Sequence, residues 1–212
     1  MSHHLTLQNI EIRKEGQFLL AADTRIGPGE VFTVMGPSGV GKSTLLAMVA
    51  GFIDPVFATQ GTILMDDRDI TGLPIEERHI GLLFQDPLLF PHLSVAGNLR
   101  FGLPASVHDR KSRIQMALQD IGLDGFEGRD PATLSGGERS RIALMRLLLS
   151  EPHAVLLDEP FSKLDAGLRN EMRDLVFGRL KAAGLPAILV THDAADADAA
   201  GGEVLDLGAG SA

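Results

Sequence analysis

The stretch "GPSGVGKST", Gly36 to Thr44, decides the fold of this 212-residue chain. It meets the pattern G-x-x-x-x-G-K-[ST] with Gly36, Gly41, Lys42 and Ser43. The apolar run "VFTVM" precedes it directly and the helix-like run "STLLAMVAG" follows. Between a strand and a helix, such a loop turns successive backbone amides toward an anion at the positive end of the helix dipole. The sequence therefore predicts a phosphate-binding loop, and the alternative is a glycine-rich turn by chance.

The same loop predicts a nucleotide and a metal ion. We expect Lys42 to reach the β- and γ-phosphates and the Ser43 hydroxyl to bind Mg²⁺. A second metal ligand is expected after the apolar strand of "AVLLDEP", where Asp158 would hold Mg²⁺ and Glu159 would polarise the attacking water. The alternative is an acidic pair that only caps or solvates the next loop. The residues expected to line the nucleotide are Gly36, Pro37, Ser38, Gly39, Val40, Gly41, Lys42, Ser43 and Thr44.

Hydrophobic patterning predicts an α/β fold with a mainly parallel sheet. The strand-like runs are "LTLQNIEI", "VFTVM", "TILMD", "IGLLF", "AVLLD", "AILVT" and "EVLDL". Between Gln85 and Glu151 this rhythm gives way to helix and loop alone. We therefore predict a single domain, 1–212, whose core (1–85 and 152–212) carries an inserted helical subdomain at 86–151.

Helix start and stop signals refine this prediction. Ser94 is expected to cap "VAGNLRFGL", and an amphipathic helix, "DRKSRIQMALQDIGL", is expected to end at Gly122. Asp165 is expected to cap a further helix that Gly184 stops.

A second glycine-rich helix start lies in "LSGGERSRIALMRLLL", Leu134 to Leu149. Ser135 is expected to cap this helix, which leaves the amides of Gly136 and Gly137 free for an anion. Glu138 completes a capping box, a role we favour over phosphate contact because a carboxylate would repel the phosphate. Since the helical subdomain is expected to lie beside its own glycine loop, this site fits the ATP of a second copy, arranged head to tail.

Composition limits the remaining possibilities. The formal net charge of −9 argues against a general nucleic-acid binder, which needs a basic surface. Cysteine is absent, which excludes disulfides and thiolate metal sites. We expect neither a signal peptide at "MSHHLTLQNI" nor a transmembrane helix; if the protein serves a membrane, another chain crosses it.

Six ordered motifs, "GPSGVGKST", "FQDP", "LSGGE", "LLDEP", "SKLD" and "VTHD", resemble those of ABC transporter ATP-binding subunits. The resemblance implies ATP and Mg²⁺ as ligands, and an antiparallel β region ahead of the parallel sheet. It makes Gln85 the residue that senses Mg²⁺ and the attacking water, and His192 the histidine that touches the γ-phosphate. It further implies that Ser135, Gly136 and Gly137 contact the ATP of the other subunit and that Asp165 crosses the dimer interface.

The chain looks most like small importer ATPases of the thiamine, polyamine, iron and oxyanion group. This implies a subunit on the cytoplasmic face of the bacterial inner membrane, paired with permease subunits and served indirectly by a solute-binding protein. The apolar run "PLLFPHLSV" after Gln85 is where a permease helix would dock, although some of its residues are expected in the core.

The sequence departs from the family in three respects. No Tyr or Trp is present to stack on adenine, so Arg13 is the expected contact with the base, while Phe18 is expected in the core. The chain continues only briefly beyond His192, so we expect no C-terminal regulatory domain. Lys163 stands in "SKLD" where a small residue is usual, which adds charge at the expected interface.

Two other classes of function compete with an ATP-driven transporter subunit. A non-transport ABC ATPase acting on DNA or ribosomes usually carries long coiled-coil insertions or two fused ATPase halves with basic surfaces, and this acidic chain of 212 residues has neither. A simple nucleotide-dependent switch or P-loop kinase would leave "LSGGE" unexplained.

Overall fold

Two β-sheets organise the computed structural model, which describes residues 3–208. The first is antiparallel, with the spatial order β2 (Gln17–Ile26), β1 (Leu5–Lys14), β4 (Phe57–Met65) and β5 (Arg68–Asp69). The second is parallel, with the order β6 (Ile80–Leu83), β7 (Ala154–Asp158), β8 (Ala187–Thr191), β3 (Val31–Met35) and β9 (Val204–Asp206). The predicted parallel sheet and N-terminal antiparallel region are confirmed.

Helices fill the intervals between these strands. They are α1 (Lys42–Ala50), α2 (Val95–Gly102), α3 (Arg110–Gln119), α4 (Gly136–Leu148), α5 (Ala166–Ala183) and α6 (Ala194–Ala200). Within residues 3–208, no helix has the length and apolar character needed to cross a bilayer.

The predicted helix caps are largely confirmed. Ser94, Ser135 and Asp165 each accept a backbone amide hydrogen bond at the start of a helix, and Gly184 ends α5 with φ 63°. The helix predicted to end at Gly122 ends earlier, at Gln119, because the amides of Gly122 and Leu123 turn back to close the last turn.

Helix α1 lies in the main core, where the two sheets face each other. Its Leu45 and Val49 side chains are fully buried, as are Leu7 of β1 and Ile63 of β4. A helix covered on most of its surface keeps its N-terminus in a fixed position. This rigidity holds the glycine loop that precedes α1.

Helices α2, α3 and α4 lie between β6 and β7 in the chain and share a second core. Leu99, Leu118 and Ile142 are fully buried in it. The helical insertion is thus present, while its boundaries at 86–151 stay a prediction.

The parallel sheet determines where the functional residues meet. Strands β6, β7, β8 and β3 are adjacent and run in one direction, so their carboxyl ends share one edge. Ligands of open parallel sheets bind at this edge. The residues that follow these four strands are Gln85, Glu159, His192 and Gly36.

Candidate functional site

The glycine loop turns from β3 into α1 without a side-chain cap. Gly41 takes the N-cap position with φ 100°, a conformation that L side chains rarely adopt, and no side chain bonds to the start of the helix. Among the described residues, the amides of Gly39, Val40 and Gly41 find no backbone acceptor. The loop therefore offers several amides to an anion.

Lys42 is held inside this loop. Its ammonium group donates to the carbonyl oxygens of Gly36 at 2.7 Å and of Pro37 at 2.8 Å, and only 6% of the residue is exposed. Among the described residues this ammonium group has hydrogen bonds only to neutral carbonyls, so no carboxylate competes with a phosphate for it. The contact of Lys42 with the β- and γ-phosphates stays a prediction.

Ser43 and Asp158 meet although they are far apart in the chain. The Ser43 hydroxyl donates to Asp158 Oδ1 at 3.2 Å. Burial raises the pKa of the Asp158 carboxyl above its ordinary value, and the charge of Glu159 adds to the rise, while Ser43 and Lys42 oppose it. A metal cation would relieve this desolvated carboxylate.

The side-chain oxygen atoms of Ser43 and Asp158 are of the kind that Mg²⁺ prefers as ligands. A hydroxyl and a carboxylate are hard oxygen donors, and Mg²⁺ usually takes one or two protein ligands, with phosphates and water completing its shell. Residues 3–208 hold no group of three or more His, Asp or Glu side chains arranged to bind a metal ion. The protein ligands alone therefore suit a metal that arrives with a nucleotide.

Glu159 and His192 face each other across the ends of β7 and β8. His192 Nδ1 lies 3.3 Å from Glu159 Oε1, and the His192 side chain is 61% exposed. Glu159 has φ 45°, a left-handed conformation unusual for this residue, and its amide donates to the Val190 carbonyl at 2.9 Å. The neighbouring strand thus aims the carboxylate at the cavity above the glycine loop.

The Gln85 side chain is hydrogen-bonded within its own chain, and its contact with Mg²⁺ and the attacking water stays a prediction. Its side-chain amide donates to the Ser162 hydroxyl at 2.8 Å. In the described part of the chain it has no hydrogen bond to Ser43 or Asp158. The structure therefore brings Gln85 to the SKLD segment (Ser162–Asp165) and not to the two proposed metal ligands.

The signature segment (Leu134–Glu138) forms the predicted capping box. The Ser135 amide donates to Glu138 Oε2 at 2.7 Å, and the Glu138 amide donates to Ser135 Oγ at 3.3 Å. The space beside Gly136 is open, whereas a Cβ on Gly137 would lie 2.4 Å from Leu168 of α5. The first glycine thus leaves room for an anion, and the second allows close packing against α5.

Asp165 also has a structural role in the chain itself. Its Oδ1 accepts a hydrogen bond from the Leu168 amide at 3.0 Å and so caps α5. Arg169, which the sequence reasoning missed, donates to the Leu164 carbonyl and to Asp193 Oδ2, both at 3.0 Å. One guanidinium therefore joins the SKLD segment to the residue that follows His192.

A cavity of about 350 Å³ lies over the glycine loop. Its lining residues are Lys14, Leu19, Ser38, Gly39, Gly41, Lys42, Ser43, Thr44, Phe57 and Glu159. No residue of the signature segment lines it. The chain's own signature segment therefore does not contribute to this cavity.

The expectation that Phe18 lies in the core is wrong, since this residue is 55% exposed. The pairing of β1 with β2 shifts between Ile12 and Arg13, so Ile12 faces Leu20 while Arg13 faces Phe18. This β-bulge turns Phe18 to the opposite side from buried Leu20. Its ring lies 6.0 Å from the guanidinium of Arg13.

Neither Arg13 nor Phe18 lines the cavity; their neighbour Lys14 does, together with Phe57. Phe57 pairs with Lys14 across β4 and β1, and the Lys14 ammonium lies 5.9 Å from its ring centre. The sequence reasoning missed Phe57. Its position at the start of the run "FATQGTILM" was the available signal, but the pairing with Lys14 is a tertiary feature.

Exposed aromatic and aliphatic side chains surround a shallow groove of about 210 Å³ beside Gln85. Phe84 is 42% exposed and Phe101 is 69% exposed, and both line the groove. Leu88, next to the groove residue Pro87, is 57% exposed, while Leu89 packs against the core. The run "PLLFPHLSV" is thus divided between surface and core, as expected.

Comparison with known proteins identifies the family of this chain. The family model described as ABC transporter matches residues 19–162. The chain is 43% identical to the uncharacterized ABC transporter ATP-binding protein YnjD of Escherichia coli K12, over 96% of this chain and 94% of the relative. It is 44% identical to the thiamine import ATP-binding protein ThiQ of Jannaschia sp. CCS1, covering 92% and 84%.

A longer relative and a solved structure extend the comparison. The spermidine/putrescine import ATP-binding protein PotA of Pseudomonas aeruginosa UCBPP-PA14 is 40% identical over 91% of this chain, which spans 53% of that relative. The structure of CbiO1 from Clostridium perfringens, part of the ABC transporter complex CbiONQ, superposes with a TM-score of 0.82 at 29% identity, over 97% and 85% of the two chains. This chain belongs to the ABC transporter family and is one of its ATP-binding, ATP-hydrolysing proteins.

Proposed function

We propose that this chain is the ATPase subunit of a bacterial ABC importer, in which two copies close head to tail over two ATP molecules and drive a permease. One observation carries the dimer: the signature segment offers open space at Gly136 but does not line its own chain's ATP cavity. The signature segment of a second copy would close the open side of this ATP cavity.

In each site, the glycine loop would bind the triphosphate. Its free amides and the Lys42 ammonium neutralise phosphate charge, and Ser43 and Asp158 would hold Mg²⁺. When bound, Mg²⁺ would supply further neutralisation of the phosphate oxygens as charge develops on them.

Glu159 would act as the general base toward the attacking water, because it lines the same cavity as Lys42 and Ser43. His192 would contact the γ-phosphate and orient Glu159, to which it is already close. The Arg169 link to Asp193 would transmit movement between this histidine and the SKLD segment. Asp165 would cross to the second copy.

The adenine would be held weakly. Phe57 and Lys14 line the cavity and are the proposed contacts with the base, while Arg13 supports the hairpin beside them. Binding would therefore depend mainly on the triphosphate and Mg²⁺.

The permease would dock on the groove beside Gln85. Phe84, Leu88 and Phe101 present apolar surface there, next to the loop that carries Gln85. Exposed apolar patches of this kind are typical of protein contact surfaces. Phe101 belongs to α2, so docking would engage the helical insertion as well as the core.

Relatives suggest the class of transport. The similar proteins are named for the import of thiamine, spermidine/putrescine and Fe(3+) ions, which supports an importer with a solute-binding protein on the outer side of the membrane. The ATPase would then work at the cytoplasmic face.

The decisive experiment is purification of the chain from detergent-solubilised membranes of its native host. We expect a multi-spanning permease to co-purify, and ATP hydrolysis to depend on Lys42. Phe101→Ser should lose the permease while retaining ATP binding, and Met116→Ser, another exposed apolar position (55% against 69%) on α3, is the control. Recovery of ribosomes or DNA in place of a permease would overturn the transport function in favour of a non-transport ATPase. A chain that binds ATP but captures neither would point to a nucleotide-dependent switch.

A further inference from the structure

Two loops that are 77 residues apart in the sequence meet through two pairs of side chains, formed by consecutive residues in each loop. Gln85 donates to the Ser162 hydroxyl at 2.8 Å, and Lys163 Nζ lies 2.5 Å from Asp86 Oδ1. We name these four residues, Gln85, Asp86, Ser162 and Lys163, the clasp. Two adjacent contacts fix the direction of the Gln85 loop as well as its position.

The clasp is joined to the catalytic edge. The Ser162 hydroxyl donates to the backbone carbonyl of Glu159 at 2.9 Å. Gln85 thus bonds to a hydroxyl that is anchored on Glu159, and in the described residues it has no hydrogen bond to Ser43 or Asp158. In the clasped arrangement the glutamine is retained by the SKLD segment.

Lys163 supplies the charge that holds the clasp. The sequence suggested only an extra charge at the dimer interface, but the structure gives this lysine a partner in its own chain. Lys163 is 51% exposed and Asp86 is 64% exposed, and exposed ion pairs are weak and easily broken. The pair is therefore suited to a contact that opens and closes during a reaction cycle.

The position of Asp86 indicates what would open it. Asp86 is followed in the chain by Pro87, which lines the proposed permease groove, and by the exposed Leu88 next to it. A partner that presses on Leu88 would move Asp86 directly. The same loop would then release Gln85.

We propose that Lys163 is a positioning residue: by pairing with Asp86 it keeps Gln85 on Ser162, and so lowers ATP hydrolysis until a permease moves the Gln85 loop. This inference rests on the proposed function. It assigns Lys163 a restraining role in its own chain, in addition to any contact with a second copy.

The test measures ATP hydrolysis by the isolated chain without permease. We expect Lys163→Ala and Asp86→Ala each to raise kcat about two- to fivefold with the KM for ATP unchanged, as expected for loss of a weak exposed pair. Lys163→Arg should keep the parent rate, and the exchange of Lys163→Asp with Asp86→Lys should restore it. Lys111→Ala, which removes an exposed lysine that forms no ion pair with another described residue, is the matched control.

Two further measurements separate positioning from a general structural effect. In a Gln85→Ala background, Lys163→Ala should change nothing, because the clasp acts through Gln85. Added salt should raise the parent rate toward that of Lys163→Ala and leave the variant nearly constant. Additive effects of the Gln85 and Lys163 changes, or equal salt responses, would overturn the proposal.

The two possible failures differ. If the parent chain hydrolyses ATP and the Lys163 and Asp86 variants match it, only the clasp is wrong. If neither the parent nor any variant hydrolyses ATP at any protein concentration, the proposed function fails and the inference fails with it.

Discussion

The two glycine-rich helix starts of this molecule differ in which groups accept hydrogen bonds from their backbone amides. At α1, Gly41 gives no side-chain cap, and the buried Lys42 adds positive charge to the open loop. At α4, Ser135 and Glu138 bond to each other's amides and leave only the glycines between them. The start of α1 can therefore bind a polyanion without help from another chain. At the start of α4, side chains already accept hydrogen bonds from the amides of Ser135 and Glu138.

This difference predicts separate roles. An anion site with its own cation can bind ATP in a single chain, whereas a capped helix start with open space at Gly136 can only add to a phosphate that is held elsewhere. The contrast explains why one small ATPase would need both. Changes at the two starts should therefore affect different steps.

The largest expected effect lies between the two starts, at Glu159. Glu159→Gln should keep ATP binding and lower kcat at least about a hundredfold, because the proposed general base is lost. The variant should accumulate as an ATP-dependent dimer in size-exclusion chromatography with Mg-ATP. Glu76→Gln, at an exposed position, is the control and should behave as the parent. A variant that stays monomeric at every protein concentration would count against a two-copy closure.

The next effect compares the helix starts directly. Lys42→Ala should abolish ATP binding by the monomer, whereas Ser135→Arg should spare binding and abolish hydrolysis, since the added charge and bulk block only the neighbour's phosphate. Equilibrium binding and phosphate release measure the two steps.

Mixing the two variants sharpens this comparison. Each heterodimer should regain one active site, formed by the intact glycine loop of one chain and the intact signature segment of the other. If Ser135→Arg weakened ATP binding by the isolated chain as much as Lys42→Ala does, the assignment of the signature segment to a second copy would fail.

A smaller effect concerns the base. Phe57→Ala should weaken ATP binding by about 1 kcal/mol, the low end for stacking of an aromatic ring on a base. ATP and GTP should be distinguished only weakly by the parent chain. Phe18→Ala, a change to the exposed ring outside the cavity, is the matched control, and Arg13→Ala tests the expected alternative. Strong preference for ATP that survives Phe57→Ala would show another adenine contact.

The smallest effect tests the cap of α4. Glu138→Ala should lower the free energy of unfolding by about 1 kcal/mol at neutral pH, because a capping bond is lost. The Ser135 amide lowers the pKa of the Glu138 carboxyl below its ordinary value of 4.5, so its contribution is complete above that pH. It is lost as the pH falls through the lowered pKa of the folded state.

Chemical denaturation at a series of pH values measures this cap. Glu138→Gln, which retains an acceptor oxygen, should lose less stability and show no such pH dependence. A constant difference between the parent and Glu138→Ala from neutral to strongly acid pH would contradict the charge-assisted capping box.

The sequence allowed correct prediction where contacts between residues close together in the chain decide the structure. The apolar runs became strands, and Ser94, Ser135 and Asp165 capped helices because the relevant contacts lie within three residues. Features set by cross-strand register were not predictable in this way. The bulge that exposes Phe18 and the pairing that brings Phe57 beside Lys14 depend on which strands become neighbours.

The candidate site follows the same rule. Ser43 and Asp158 were placed together correctly, because the carboxyl ends of parallel strands meet at one edge. The contacts of Gln85 with Ser162 and of Lys163 with Asp86 join two loops, and loop conformation depends on the whole surrounding structure. The resemblance gave Gln85 a role but not its contact in this chain.

The backbone of Glu159 has a consequence for engineering this protein. At φ 45° a glycine or asparagine would be under less strain than glutamate. A selection for thermostability alone should therefore favour replacements here that abolish hydrolysis, as happens where activity and stability are in conflict. Libraries designed for heat resistance should keep position 159 constant, or include turnover in the selection from the first round.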